Sequence, residues 1–223
     1  MIQVIKNVLS AEQVSRLKHT IAQGEFYCGK QTAGWHAQGV KHNLQWQAAA
    51  EVNEQLQLNL LEQLTQHPQF SALTYAKKMM PFIVSCSTDN GGYGNHIDDA
   101  LMHGEQMVRT DISCTIFLNE PEDYEGGELV MSLGGVELPY KLSAGDAIVY
   151  PSTTLHRVNP VSQGQRLAAL TWIESFVSGC EQREMLYDLD CARKAIMQQH
   201  GKNQEFDLIT KTHANLLRRW STT

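Results

Sequence analysis

One imidazole and two carboxylates crowd into Gly94-Asn95-His96-Ile97-Asp98-Asp99-Ala100, directly after the glycine-rich Asn90-Gly91-Gly92. In an extended segment, residues two apart project to the same side. His96 and Asp98 can then reach one atom, while Ile97 turns the other way into apolar packing and Asp99 faces away. A neutral imidazole and a carboxylate are two of the three protein ligands of a non-haem Fe(II) site, which a second histidine completes. Alone, the His-x-Asp pair reads first as a turn in which the Asp98 side chain caps the backbone.

Nine histidines are present, so the third ligand has to be chosen by context. His156 is the strongest candidate, because it follows the apolar run Asp146-Ala-Ile-Val-Tyr150 and the turn Pro151-Ser-Thr-Thr154. His103, seven residues after His96, competes with it. His36 and His42 lie in a polar loop, His19 and His213 in expected helices, His67 before a proline and His200 near a helix end. Arg166 opens the apolar run Arg-Leu-Ala-Ala-Leu-Thr-Trp172. A buried guanidinium needs an anionic partner. Taken alone, Arg166 reads first as paired with an internal carboxylate, Asp146 or Glu174, ahead of a bidentate ligand.

These residues need a sheet to hold them. From Leu73 to Trp172 short apolar runs recur, with Ile112, Cys114, Ile116 and Leu118 alternating with Asp111, Ser113, Thr115 and Phe117. A period of two with one face inward is the signature of a strand. Turn signals at residues 89–92, 126–127, 134–135, 144–146 and 162–164 separate the runs, a pattern of sandwiches and barrels and not of βαβ sheets. Helices are expected on both flanks. One runs over residues 11–22 behind the capping box Ser10-Ala-Glu-Gln13, and one over 47–66 with Val52, Leu56, Leu60 and Leu64 every four residues. Two more follow Phe176, over 181–199 and 204–220. The expected class is mainly β with flanking helices, divided into residues 1–176 and a small helical subdomain at 177–223.

Bulk properties narrow the function classes. The 223 residues suffice for one sizeable core, and 42% apolar against 19% charged residues argues for a folded domain. A formal charge of −6 favours neither nucleic acid nor an anionic membrane as partner. The absence of a long apolar run or a leader-like start leads us to expect a soluble, cytoplasmic protein. Five cysteines, none in a CxxC pair, are expected to be small core residues and not a disulfide or zinc framework. An apolar face of the last helix, Ile209 with Leu216 and Leu217, would suit a homodimer.

With His96-x-Asp98, His156 and Arg166 in this order on a many-stranded domain, the sequence resembles the Fe(II)- and 2-oxoglutarate-dependent dioxygenases. Within them it is most similar to the prolyl 4-hydroxylase alpha-subunit branch and its bacterial PKHD-type hydroxylases, some of them described as iron-uptake factors. The segment Arg109-Thr-Asp-Ile-Ser-Cys-Thr-Ile-Phe-Leu118 and the turn Asp123-Tyr-Glu-Gly-Gly-Glu-Leu129 carry the likeness, which spans essentially the whole chain. The resemblance implies a double-stranded β-helix, or jelly-roll, core. It implies Fe(2+) on His96, Asp98 and His156, and Arg166 on the distal carboxylate of 2-oxoglutarate. Thr115, or less readily Tyr93, would assist Arg166, and L-ascorbate would keep the iron ferrous. It also implies hydroxylation of an unidentified substrate and a link to iron uptake or homeostasis. Asp99 would support a ligand from behind, and Asn43 and Trp35 would border the substrate mouth. Two other readings stay open: a non-catalytic regulator responding to iron and 2-oxoglutarate, and a cupin-type metalloenzyme indifferent to the keto acid.

Overall fold

The computed structural model describes residues 1–32, 34, 38–104 and 106–223; Trp35 and His36 lie outside them. Two antiparallel sheets form the centre. The larger runs in the order Gln3–Ile5, Ala147–Pro151, Ile112–Phe117, Arg166–Ser175, Ile83–Ser87, Leu44–Gln47 and Glu25–Cys28, with Ala76–Met79 also paired to Arg166–Ser175. The smaller runs Val136–Tyr140, Leu129–Leu133, Leu155–Val158, Gly92–His96 and Lys41–His42. This is the jelly roll implied by the resemblance.

The strand Ile112–Phe117 shows why both of its faces matter. Ile112, Cys114 and Ile116 point outward into a core shared with helices α1 (Ala11–Ile21), α2 (Ala50–Gln66) and α3 (Pro68–Thr74), where Leu17, Leu56, Leu60, Leu64 and Phe70 are buried. Phe117, on the other face, joins Ile148, Tyr150, Leu129 and Met131 in a core between the sheets. The alternation therefore does not separate core from solvent, as expected from the sequence. It separates two cores, and every residue of the strand is buried.

Helix α1 starts where the capping box places it, with Gln13 N donating to Ser10 Oγ and Ser10 N to Gln13 Oε1. Helix α2 starts at Ala50, three residues later than expected, because Leu44–Gln47 is drawn into the sheet beside Ile83–Ser87 and Glu25–Cys28. Pro68 both ends α2 and opens α3, since its missing N–H is no loss in a first helical turn. Helices α4 (Cys180–His200) and α5 (Gln204–Trp220) lie close to their expected bounds. Buried Arg183 of α4 donates to the carbonyls of Val177 and Ser178, and buried His213 of α5 meets the Tyr75 hydroxyl at 3.0 Å. Ile209, Leu216 and Leu217 are half-buried in the chain, so this face is less free than the sequence implied. Among the described residues no helix is long and apolar enough to cross a membrane.

The turn expected at residues 89–92 is present, but its glycines do not make it. The turn is made instead by Asp89 and Asn90, with φ of 51° and 63°, and Gly92–His96 is a strand. Its glycines are there for room. A Cβ on Gly92 would lie 2.7 Å from the Val158 carbonyl, and one on Gly94 2.8 Å from Val40 Cβ. The Ser162–Gly164 turn signal likewise falls in a strand, Val161–Gly164, paired with Tyr124–Gly126.

Leu60, 1% exposed, is expected to be a strong anchor of the outer core, and Leu60→Ala should cost about 2–5 kcal/mol in urea unfolding. Leu58→Ala, at a position 59% exposed, should change stability by no more than about 0.5 kcal/mol. Equal effects at the two positions would contradict the packing of α2.

Candidate metal centre and co-substrate pocket

The strands Gly92–His96 and Leu155–Val158 pair so that His96 and His156 stand directly opposite each other, their ring centroids 4.2 Å apart. Asp98 lies just past the end of the first strand. The Thr110 hydroxyl pins that segment by donating to the Asp99 carbonyl at 2.6 Å. His96 Nε2 and His156 Nε2 each lie 4.0 Å from a different oxygen of Asp98. Among the described residues this is the one cluster of three whose ligand atoms all fall within 4.8 Å of one another.

The protonation pattern follows from the neighbours. His96 Nδ1 is 2.8 Å from the Gly94 carbonyl and His156 Nδ1 2.9 Å from the Thr154 carbonyl. A carbonyl oxygen only accepts, so each Nδ1 keeps its proton and each Nε2 presents a lone pair to the common centre. Burial, followed by the charge of His156, pushes the His96 pKa down to about 4, which keeps that ring neutral. The Tyr93 ring stacks on His96 at 3.6 Å, and Tyr150 meets His156 edge-on at 5.1 Å. Two imidazoles and a carboxylate aimed at one point, with the rest of the space left to a pocket, suit a ferrous ion with open coordination positions.

Asp98 has a support that the sequence reading missed. Ser113 Oγ donates to Asp98 Oδ2 at 2.5 Å and lies 2.7 Å from Ser152 Oγ, both serines being buried. No signal marked it in the sequence, because Ser113 shares its phase with the polar Asp111 and Thr115 and so read as the outward side of the strand. Asp99, expected in that supporting role, is exposed, and only its backbone carbonyl takes part in the anchoring. Ile97 is 48% exposed on the pocket wall and not packed into the core as expected. His103 lines the pocket but stands outside the ligand cluster, and His42 is exposed.

The pocket has a volume of about 530 Å³, ample for a small acid and part of a second molecule. Arg166 closes it from the larger sheet. Its side chain is 2% exposed, with Nε and Nη2 buried and unpartnered among the described residues. The internal partners considered from the sequence are engaged elsewhere, Asp146 with Lys6 at 2.6 Å and Glu174 with Lys77 at 3.7 Å. The guanidinium carbon sits 5.4 Å from the Phe117 ring centroid, and burial lowers the pKa of the group. The buried Tyr124 hydroxyl stands beside this guanidinium, whose charge opposes the rise in pKa that burial causes. Gly127, at φ +69°, makes this crowding feasible, since a Cβ there would lie 2.9 Å from the Tyr124 ring and 3.1 Å from Arg166 Cδ. Thr115, wholly buried, lines the same pocket beside Tyr150, whose pKa burial raises strongly. Unmatched buried donors around a fixed cation are costly alone and fit a carboxylate ligand.

Fold and site together define a 2-oxoglutarate- and Fe(II)-dependent dioxygenase. The 2OG-Fe(II) oxygenase superfamily matches residues 82–174, and the PKHD-type hydroxylase C-terminal domain matches residues 181–222. The PKHD-type hydroxylase of Colwellia psychrerythraea is 63% identical over 223 residues, 100% of both chains, and that of Acaryochloris marina 45% identical over 221 residues, 99% of this chain and 100% of its own. The chain belongs to the PKHD-type hydroxylases. Solved structures share the fold: a Pseudomonas putida prolyl-4-hydroxylase has a TM-score of 0.53 at 21% identity, covering 78% of this chain and 92% of its own. HygX from Streptomyces hygroscopicus, solved with nickel, 2-oxoglutarate and hygromycin B, has a TM-score of 0.53 at 14% identity, covering 79% and 84%.

Ser113→Ala should lower metal affinity by about 10–100-fold while leaving the fold intact, measured by Co(II) titration followed in the visible spectrum. An unchanged affinity would mean that Ser113 does not orient Asp98. In metal-free protein, the unfolded chain takes up a proton near pH 6.5 that folded His96 refuses until about 4. Stability should therefore be full above this window and fall as pH drops through it, and His96→Asn should flatten that slope in thermal melts.

Proposed function

We propose that His96, Asp98 and His156 bind Fe(II) and that Arg166, assisted by Tyr124 and Thr115, holds the distal carboxylate of 2-oxoglutarate. The observation that carries this reading is the pairing, in one pocket, of three converging ligand atoms with a buried guanidinium that has unpartnered donors. Bound there, iron and the keto acid would activate dioxygen, the keto acid being oxidised to succinate and carbon dioxide as it takes up one oxygen atom while the other enters a substrate carbon as hydroxyl, with ascorbate as the external reductant.

The chain's own residues have simpler tasks. The Gly94 and Thr154 carbonyls hold the imidazoles in the metal-binding tautomer, and Ser113 orients Asp98. Arg166 fixes one end of the keto acid so that its other end faces the histidines. Phe117, Leu129 and Tyr150 exclude water around it, which strengthens each polar contact inside. The substrate is a prolyl residue or a comparable saturated carbon, a reading supported by the likeness in fold to prolyl hydroxylases. The protein would act in the cytoplasm, in iron uptake or homeostasis, as the resemblance to iron-uptake factors suggests.

Anaerobic titration of Fe(II)-loaded protein with 2-oxoglutarate should produce the weak visible band of a chelated keto acid, and air should then yield succinate slowly even without substrate. Arg166→Met should raise the 2-oxoglutarate Kd by about 100-fold, the loss of roughly two charge-assisted hydrogen bonds, while metal binding persists. His96→Ala should abolish the band through loss of metal. Full turnover by either variant would overturn the assignment.

A further inference from the structure

We propose that the substrate of this pocket carries a carboxylate that pairs with the buried side chain of Lys41. The inference rests on the functional reading above and specifies the substrate class for the same site. Lys41 lies on the short strand Lys41–His42, which pairs with Gly92–His96 at Lys41↔Tyr93 and so enters the pocket from the smaller sheet, away from the strand of Arg166. It is 7% exposed. Its Nζ sits 5.2 Å from the centroid of the Tyr93 ring, which itself stacks on His96, and donates to Thr32 Oγ1 at 2.8 Å.

Lysine is almost never this buried unless paired. Among the described residues no carboxylate oxygen lies within 4.0 Å of its nitrogen; Asp98 acts on it only from farther away. The hydroxyl of Thr32 and the face of Tyr93 are neutral and replace little of the hydration that burial removes. Burial pulls the ammonium down to about 8, so at neutral pH it is still mostly charged.

The metal centre leaves this charge over. Iron(II) and Arg166 together match Asp98 and the two carboxylates of 2-oxoglutarate, so a loaded site is already neutral without Lys41. Asp99 also lines the pocket but is exposed to solvent and not within 4.0 Å of the ammonium, so buried Lys41 remains a cation without a close counter-ion and calls for a negative charge on what enters next. Its neighbours on the wall, Asn43, Gln45, Ser85 and Ser87, are neutral hydrogen-bonding groups. A single ammonium among neutral polar groups, with no guanidinium beside it, suits a carboxylate better than a doubly charged phosphate.

The test uses protein with Zn(II) in place of iron, saturated with 2-oxoglutarate, its lysines carbon-13 labelled at Cε, and the Lys41 resonance assigned by its loss in Lys41→Met. N-acetylglycine, its uncharged amide and inorganic phosphate serve as probes. N-acetylglycine is expected to shift the Lys41 resonance saturably without releasing 2-oxoglutarate, and the amide to leave it in place. Ligand-observed titrations should show affinity for the acid falling tenfold or more in Lys41→Met and persisting in Lys41→Arg. Equal binding of acid and amide, or no loss in Lys41→Met with a native melting curve, would refute the pairing. Tighter binding of phosphate would replace the carboxylate by a phosphate. Release of 2-oxoglutarate by the acid would overturn the proposal by assigning Lys41 to the co-substrate. If the zinc protein never takes up 2-oxoglutarate, the functional reading fails first and Lys41 loses its charge argument with it.

Discussion

The register between the strands Gly92–His96 and Leu155–Val158 is the constraint on which the site depends. It sets His96 across from His156. A slip of either strand by one residue would turn its own ring to the opposite face and away from the other, because side chains alternate along a strand. The register is held from several directions. Gly92 and Gly94 allow close approach of Val158 and Val40, Leu155–Val158 is pinned on its other edge by Leu129–Leu133, and the histidines bond to carbonyls two residues before them. The ligands are thus oriented by backbone, which moves less than side chains do.

Charge organises the pocket as strongly as shape. Arg166 and Lys41 reach it from different sheets, and both are buried without a carboxylate partner among the described residues. Such groups cost stability in the empty protein and recover it when anions arrive. Their separation gives the pocket a direction: the cation behind Phe117 and Tyr124 is fully enclosed, whereas the one beside Tyr93 lies against the strand of His96. The outer core of α1, α2 and α3 against the larger sheet takes up the strain of holding polar groups inside, since it is built almost wholly from apolar side chains.

Much of the fold was legible along the chain. The capping box at Ser10, the four-residue spacing of Leu56, Leu60 and Leu64, and the two terminal helices were readable because each depends on neighbours a turn away. The strands were legible as apolar runs, but their faces were not. Ser113 and Phe117 looked like the solvent side of a sheet until a second sheet covered them. The glycines before His96 read as a turn, because a glycine needed for close packing and one needed for positive φ are the same letter.

The sequence by itself determined the candidate ligand types, their order, the helical flanks and the many-stranded centre, because residue chemistry and short periodicities are local properties. It also singled out Arg166 as a charge in need of a partner. Only the tertiary structure decided that the partner is not Asp146 or Glu174, that Ser113 and not Asp99 supports Asp98, that Tyr124 stands beside Arg166, and that Lys41 belongs to the pocket. Those outcomes depend on which strands pair and which sheets face each other, contacts between residues tens of positions apart that no local pattern encodes.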